Sequence, residues 1–421
     1  MANAAGEYQP DTWFNPHLVP CTRRAHEVIG VPLLAVKAHS RKRAMSGNAV
    51  EALFRVMIPI VANLICHYLS RDPGHGVAVP LAKRDLGKET NRYEPLSFPR
   101  SFPKMLKALS ELGYAQVSKG RYSGLPGQSK RSTVRAGPKL IRLIREHGLT
   151  PEDFRGQDDQ EVIILKRPKR GYGDEGERID YVDTPTTNRY RAELQSINAW
   201  LRKGDIEFNP AAYDQRVDVS ARQLRRQFTL GRFEFDRGGR LFGGFWENLP
   251  KPVRLLGLRI EGERVVGLDY SQLNPVLAYY LAGAKPPSGD AYALPGLEDH
   301  RDGVKKVFNA MLFKHPVDKF PQGARTLFPR RTTCADVTGA ILQRHPKLEP
   351  LLSNPDTGHR LQFLESEIMM RVLRQCQRRS IIALPVFDCV VVKASAEEVV
   401  RWIMVQEFKA VTNLDIVVKR E

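Results

Sequence analysis

Two aspartates stand where a carboxylate is costly to place. Asp269 closes the apolar run Val265-Val266-Gly267-Leu268, and Asp388 interrupts the apolar run from Ile381 to Val392. A carboxylate at the end of a buried strand projects into a cleft from a rigid base. One inside an apolar run needs a cation, a proton or a hydrogen-bond network. Pro385 starts a hairpin whose turn presents Asp388. Taken singly, Asp269 also reads as a turn aspartate capping the next helix, and Asp388 as a structurally hydrogen-bonded group. Taken together they suit a metal site. Two carboxylates can hold a pair of Mg²⁺ ions (or Mn²⁺) ~3.5–4 Å apart, clamping the attacking and leaving oxygens of an in-line displacement at phosphorus.

Between these aspartates lies Arg301-Asp302-Gly303-Val304-Lys305-Lys306-Val307-Phe308-Asn309, followed by Ala310 to Phe313. Arg301, Lys305 and Asn309 recur every four positions, so a helix places them on one face, and Phe313 extends the row by a turn. Two cations and an aromatic on one stripe suit a triphosphate and a stacked base. A solvated charged face over core aromatics satisfies the same spacing.

Regular elements must position these groups. Apolar residues from Val50 to Val61 recur at helical spacing, and a short helix is expected around Leu81 to Leu86. Phe102, Met105, Leu106, Leu109 and Leu112 form a second helical stripe closed by Gly113. Tyr114 to Val117 and Ser132 to Val134 read as strands around a glycine-rich loop containing Gly120, Gly124 and Gly127. Helices followed by a glycine-rich hairpin are the order of a winged helix. From Ser101 through Arg145 the only acid is Glu111, against Lys104, Lys107, Lys119, Arg121, Lys130, Arg131 and Arg135. That sign suits contact with phosphates; a winged helix used for protein contacts alone fits the order equally. Segment 1–47 reads as a lead-in and 48–150 as the winged-helix-like domain. Segment 151–187, acidic, then basic, then glycine-rich, reads as a linker or hairpin. A helix from Arg189 to Leu201 opens the remaining region, 188–421.

Composition narrows the class. The chain has 421 residues, an ordinary apolar fraction of 42% and a formal charge of +18, an excess that favours a polyanionic partner. The five cysteines are scattered with no C-x-x-C pair, which argues against a zinc site or a disulfide framework and suits a reducing cytoplasm. No secretory signal is visible, and the most apolar stretch, Val56 to Cys66, is short for a bilayer span. A soluble cytoplasmic protein with no membrane partner is expected.

The region from about Gly238 to Val400 resembles the polymerase module of family A DNA polymerases, the DNA polymerase I group, and is similar to the single-subunit phage RNA polymerases. Asp269-Tyr270-Ser271-Gln272 looks like the first palm motif and Asp388 like the Asp of the last. Gly239-Arg240-Leu241 looks like the family's Gly-Arg-Leu element, and Arg301, Lys305 and Phe313 match its fingers helix. Four motifs in the right order make the resemblance fairly specific. It implies an α+β fold: an N-terminal winged-helix-like domain, then a reduced right hand with an antiparallel palm sheet (236–283 and 360–421), helical fingers (284–359) and a small helical thumb (188–235). It implies metal binding by Asp269 and Asp388, nucleotide binding by Arg301, Lys305, Asn309, Phe313, Tyr270 and Asn274, and primer–template contact by Arg240 and Gln272. Departures fall around the metals. Phe387 replaces a His, Cys389 an acid, Asn274 the glutamate that excludes a ribose 2′-OH, Val276 an Arg and Lys314 a glycine. The leading expectation is a compact DNA polymerase of plasmid, phage or mobile-element type, acting on a DNA primer–template with nucleoside triphosphates. Alternatives are an RNA polymerase or primase of the same fold, with RNA among its strands, and a non-catalytic DNA-binding initiator or regulator.

Overall fold

A computed structural model describes residues 12–421, apart from 40–45, 71–75, 83–85, 88–91, 94–97, 121–130, 157–159, 170–173, 175, 215–216, 218, 220 and 232–234. The chain divides into two compact units, Met1–Glu161 and Val162–Glu421.

The first unit runs β1 (Thr12–Trp13), β2 (Leu18–Pro20), α1 (Arg23–His39), α2 (Gly47–Ser70), β3 (Val77–Ala78), α3 (Phe102–Glu111), β4 (Ala115–Ser118), β5 (Thr133–Ala136), α4 (Pro138–Glu146) and β6 (Phe154–Gly156). Strands order as β1-β3-β5-β4, with β3–β5 and β4–β5 antiparallel. One continuous core joins Val28 and Leu33 of α1, Met57, Val61 and Ile65 of α2, Leu106 and Leu109 of α3, Val134 of β5 and Leu140 of α4. The segment expected as a lead-in therefore supplies a core helix. It is anchored by buried Asp153, which accepts from Thr22 Oγ1 at 2.6 Å and Arg24 Nε at 2.7 Å. The expected helix around Leu81 to Leu86 and the loop from Gly120 to Gly127 fall mainly on residues outside those described.

The apolar stretch also runs further than expected. By length and composition α2 is sufficient to cross a membrane, and half of it is buried inside the protein. Its polar interruption, Asn63, is buried and used: Oδ1 accepts from Asn15 N–H at 2.8 Å and Nδ2 donates to Asn15 O and Pro59 O at 2.7 Å. A buried amide with three such bonds belongs to a packed core helix.

The second unit runs β7 (Ile163–Lys166), α5 (Pro185–Lys203), β8 (Ile206–Phe208), β9 (Arg225–Thr229), β10 (Gly238–Phe242), α6 (Lys251–Gly257), β11 (Leu258–Ile260), β12 (Glu263–Tyr270), α7 (Leu273–Leu281), α8 (Arg301–Met311), α9 (Cys334–Arg344), α10 (Glu349–Leu352), α11 (Thr357–Arg378), β13 (Ala383–Val386), β14 (Cys389–Lys393), α12 (Glu397–Thr412) and β15 (Val418–Arg420). The fold is mixed α+β. Its larger sheet orders β13-β14-β12-β11-β8, with β15 also on β12, and every pairing is antiparallel. Pro385, which has no N–H to give, sits in β13 at the sheet edge. A smaller sheet orders β10-β9-β7. Segment 151–187, expected as a linker, thus contributes β6 to one unit and β7 to a sheet of the other. In 188–235, expected as a helical thumb, the described residues form one long helix, α5, together with β8 and β9.

Helix α11 underlies the site. Leu361, Ile368, Met369, Val372 and Leu373 are buried at helical spacing, with Glu365 on the same buried stripe. Arg226 of β9 is fully buried against this helix. Its Nη2 donates to Ser366 Oγ at 2.7 Å and Glu367 Oε1 at 2.6 Å, and its plane lies over Tyr190 and Phe228.

Candidate active site

Strand pairing brings the two aspartates together. Asp269 stands opposite Cys389 in the β12–β14 ladder, so the Phe387-Asp388 turn sits beside it. Phe387 takes a left-handed backbone (φ 56°), a conformation that disfavours bulky residues. Packing holds it there: its ring meets Phe242 edge-on at 5.7 Å, and the Arg240 guanidinium lies 5.1 Å over it.

On the opposite side of Asp269 in the sheet is Lys419 of β15. Beyond it Glu421, whose N–H donates to Gly267 O at 2.9 Å, reaches across Gly267. A Cβ at Gly267 would lie 2.8 Å from Glu421 Oε2, so this position must be glycine for the carboxylate to sit there. Lys251 holds Glu421 Oε1 at 3.0 Å, and Cys389 Sγ donates to Oε2 at 3.4 Å.

Electrostatics mark the pair. Burial, then Asp388 and Glu421, push the Asp269 carboxyl up to about 7, against the pull of Lys305 and Lys251. Asp388 is raised by burial despite its own backbone N–H, Arg240 and Lys305. Buried like charges that neighbouring cations leave incompletely neutralised are the condition under which a divalent ion binds well. Among the described residues no group of three or more His, Cys, Asp or Glu side chains could hold a metal by itself. Asp269 and Asp388 would offer two hard oxygen ligands, a set of the kind Mg²⁺ takes, since that ion keeps waters and substrate phosphates for its remaining positions.

Arg240 lies next to this pair and is already engaged. Its Nε and Nη2 donate to Glu365 Oε1 and Oε2 at 2.8 and 2.6 Å. Burial pushes Glu365 up to about 7 against the pull of Arg240. Arg240 keeps Nη1 without a partner among the described residues, so one edge of the expected primer–template contact remains.

Helix α8 and the turn after it carry the remaining groups. Arg301 Nε donates to Asp290, and the guanidinium lies 5.3 Å over Tyr292. Burial would raise Asp290, but Arg301 and the Tyr292 N–H hold it below the usual carboxylate range. Lys305 is exposed, and its charge reaches both aspartates. Asn309 Oδ1 accepts from Asn274 Nδ2 of α7 at 2.9 Å. Phe313, half-exposed, meets His359 edge-on at 5.2 Å and packs on Gly358.

One expected contact is corrected, and a second residue is engaged within the protein. Tyr270 follows Asp269 in an extended strand and so faces the other way. It is buried, its hydroxyl donates to Met404 O at 2.8 Å, and it packs on Phe408; it is a core residue, out of reach of a nucleotide. Gln272 is turned to the protein: Oε1 accepts from Ala291 N–H and Nε2 donates to Gly289 O at 3.5 Å, which fixes the loop carrying Asp290. His345 braces the same loop, with Nε2 donating to Ala291 O at 2.8 Å and Nδ1 accepting from the Tyr279 hydroxyl at 2.9 Å. Burial lowers its pKa and keeps it neutral.

Three acids of the site escaped the sequence reading: Glu365, Glu421 and Asp290. Glu365 carried a signal, since an acid four residues after Leu361 and four before Met369 lies on an apolar helical stripe. Asp290 within Ser288-Gly289-Asp290 reads as an ordinary turn.

No family model matches this chain, and no curated protein matches it. Among solved structures, the POL domain of Pol1 from M. smegmatis, in complex with DNA primer-template and dNTP, matches at 14% identity with a TM-score of 0.26. The alignment covers 56% of this chain, which spans about half (52%) of that one. A likeness of that size establishes neither fold nor activity here.

Proposed function

We propose that this chain is a template-directed nucleotidyltransferase, a compact polymerase whose divalent metal is held by Asp269 and Asp388. The observation that carries the reading is the half-buried carboxylate pair, Asp269 near the end of β12 and Asp388 in the turn between β13 and β14 beside it, together with a helix, α8, whose successive turns present Arg301, Lys305 and Asn309, with Phe313 just past its end. Such a row meets a nucleoside triphosphate in order: charge at the phosphates, amide at the sugar, ring at the base.

In this reading Asp269 and Asp388 bind the ion as carboxylates. When bound, Mg²⁺ supplies charge stabilisation for an attacking hydroxyl and a departing pyrophosphate. Lys305 neutralises phosphate charge near the aspartates, and Arg301, oriented by Asp290 and Tyr292, adds a second cation. Arg240, fixed by Glu365, faces the acceptor strand with Nη1. The first unit supports a nucleic-acid partner through exposed Lys104 and Lys107 on α3, Lys119 after β4 and Arg131 before β5.

Labelled primer–template extension with Mg²⁺, offering dNTPs or rNTPs, tests the reading. Asp269→Asn and Asp388→Asn are expected to lower the rate roughly 10³-fold or more, the scale of losing several kcal/mol of charge stabilisation. Extension that persists in both variants removes the metal assignment. Silence of the wild type with every nucleotide and divalent ion leaves a binding protein.

A further inference from the structure

Tyr270 packs on α12, so that helix covers the face of the larger sheet opposite Asp269. The outer side of α12 carries a tryptophan that lies outside the core. Trp402 is 54% exposed and Val399, one turn earlier, is 45% exposed, while Ile403 and Met404 are buried. Helix α11 runs antiparallel beside it, and hydrogen bonds brace the seam. Glu407 accepts from Arg371 Nε at 2.8 Å and from Gln375 Nε2 at 2.7 Å, and Gln375 Oε1 accepts from Arg379 Nη1 at 2.7 Å. That chain of contacts ends with the Arg379 guanidinium 6.0 Å over the Trp402 ring. The charge around the ring is one-sided. From Ile368 to Ser380 the sequence holds four arginines and no acid. Arg371 and Arg374 are neutralised by Glu407 and Glu193, whereas Arg378 and Arg379 are exposed and have no acid partner among the described residues. Lys203, exposed at the end of α5, stands at the same end of α11, since a Cβ on the following Gly204 would lie 3.0 Å from Ile382 Cδ1. Glu398, one turn before Trp402 on α12, is drawn to Arg401 at 3.8 Å.

An exposed ring beside cations that no acid neutralises suits a partner that is flat and anionic at once, a base joined to phosphates. We propose that the outer α11–α12 seam at Trp402 docks single-stranded DNA: a base stacks on the Trp402 ring, and Arg378, Arg379 and Lys203 meet the phosphates around it. A duplex offers the ring only its backbone, because its bases are already stacked on one another. Gln375, the amide next to Arg379, spends both ends within the chain and offers nothing to a ribose hydroxyl, which favours DNA over RNA. The bracing of the seam orders the guanidinium over the ring before a strand arrives, so docking costs little side-chain entropy. This surface lies behind the carboxylates, apart from any strand held at Asp269 and Asp388, and it does not depend on the nucleotidyltransferase reading.

Binding of oligothymidylate, about 12 nucleotides long, to the full chain tests the surface. Trp402 is one of four tryptophans, so intrinsic fluorescence is read beside affinity. The strand is expected to quench the wild type, and Trp402→Phe, which keeps a ring for stacking, is expected to lose much of the quenching while holding most of the affinity. Trp402→Ala is expected to weaken the strand about tenfold or more, the scale of one base stacked on an aromatic ring, with duplex affinity and melting temperature unchanged. Arg378→Gln with Arg379→Gln is expected to lower the slope of log affinity against log salt by about 1.4, the contribution of two single-strand phosphate contacts. Strand affinity and quenching that both survive Trp402→Ala overturn the proposal, as does an equal loss on strand and duplex. A lower sedimentation mass for Trp402→Ala with strand affinity unchanged overturns it in favour of a second copy of this chain on the same face. Tighter binding of oligouridylate than of oligothymidylate overturns the assignment to DNA.

Discussion

At the scale of single residues, the site is defined by acids that hold protons longer than acids usually do. In an unfolded chain Asp269 ionises near its ordinary 3.8; in the folded chain it does so at about 7, and Glu365 behaves alike, also at about 7 from an ordinary 4.5. The folded form therefore binds more protons between these limits. The stability these groups contribute is fully present below their unfolded values and is lost as pH rises through about 7. A divalent ion reverses that loss, but only where Asp269 is ionised in the folded state. Metal-free protein is expected to melt at lower temperature at pH 8 than at pH 5.5, with Mg²⁺ raising the pH 8 value by roughly 3–5 °C and leaving pH 5.5 nearly unchanged. Asp269→Asn is expected to flatten the pH slope and abolish most of the Mg²⁺ response. Equal Mg²⁺ shifts at both pH values would show that the ion binds elsewhere. The slope is informative because Lys251 already neutralises Glu421 at 3.0 Å, leaving Asp269 and Asp388 as the pair with least compensation.

At the scale of elements, the turn that follows α8 must approach the start of α11 closely, and a glycine allows it. Gly358 lies in the first turn of α11, its N–H donating to Leu312 O at 2.7 Å, and a Cβ there would fall 2.4 Å from the Phe313 ring. Alanine would favour the helix by about 1 kcal/mol, while the half-exposed ring can swing aside. Gly358→Ala is therefore expected to fold normally but to displace Phe313, raising KM for the nucleotide several-fold with little change in kcat. Phe313→Ala should match it, and the double variant should add little; additive effects in the double variant would mean that the glycine acts by another route. The same helices show what a sequence discloses. The four-residue spacing of Arg301, Lys305 and Asn309 was legible because a helix turns local spacing into one face, and the apolar runs around Asp269 and Asp388 were legible as strands. The partners of those residues were not. Asp290 on Arg301, Glu365 on Arg240 and Glu421 across Gly267 are meetings of segments 11 to 154 positions apart, fixed by strand register and helix packing. Tyr270 was misread because a motif neighbour of Asp269 is, in a strand, a residue of the opposite face.

At the scale of the whole molecule, the charge of +18 and the division into two units meet in one expectation. The first unit has its own continuous core, built from α1 to α4 and β5, and its Asp153 network ties the chain near Thr22 to that near Thr150. A fragment covering residues 1–161 is expected to melt as one cooperative transition and to bind duplex DNA without sequence preference. Its basic residues lie on both sides of one helix–hairpin segment: Lys104 and Lys107 are exposed on α3, and Lys119 and Arg131 flank the strands β4 and β5. Lys107 also reaches Glu111 at 3.5 Å, an exposed i,i+4 pair that contributes little and yields readily to a phosphate. If four such side chains meet phosphates, counterion release makes affinity fall about 10²-fold between 50 and 200 mM salt. Lys104→Glu with Lys119→Glu should remove roughly two contacts and halve the slope of log affinity against log salt. A fragment that folds yet binds DNA with no salt dependence, or whose slope survives both reversals, would assign this unit to contacts other than phosphate and leave nucleic-acid engagement to the carboxylate-bearing unit alone.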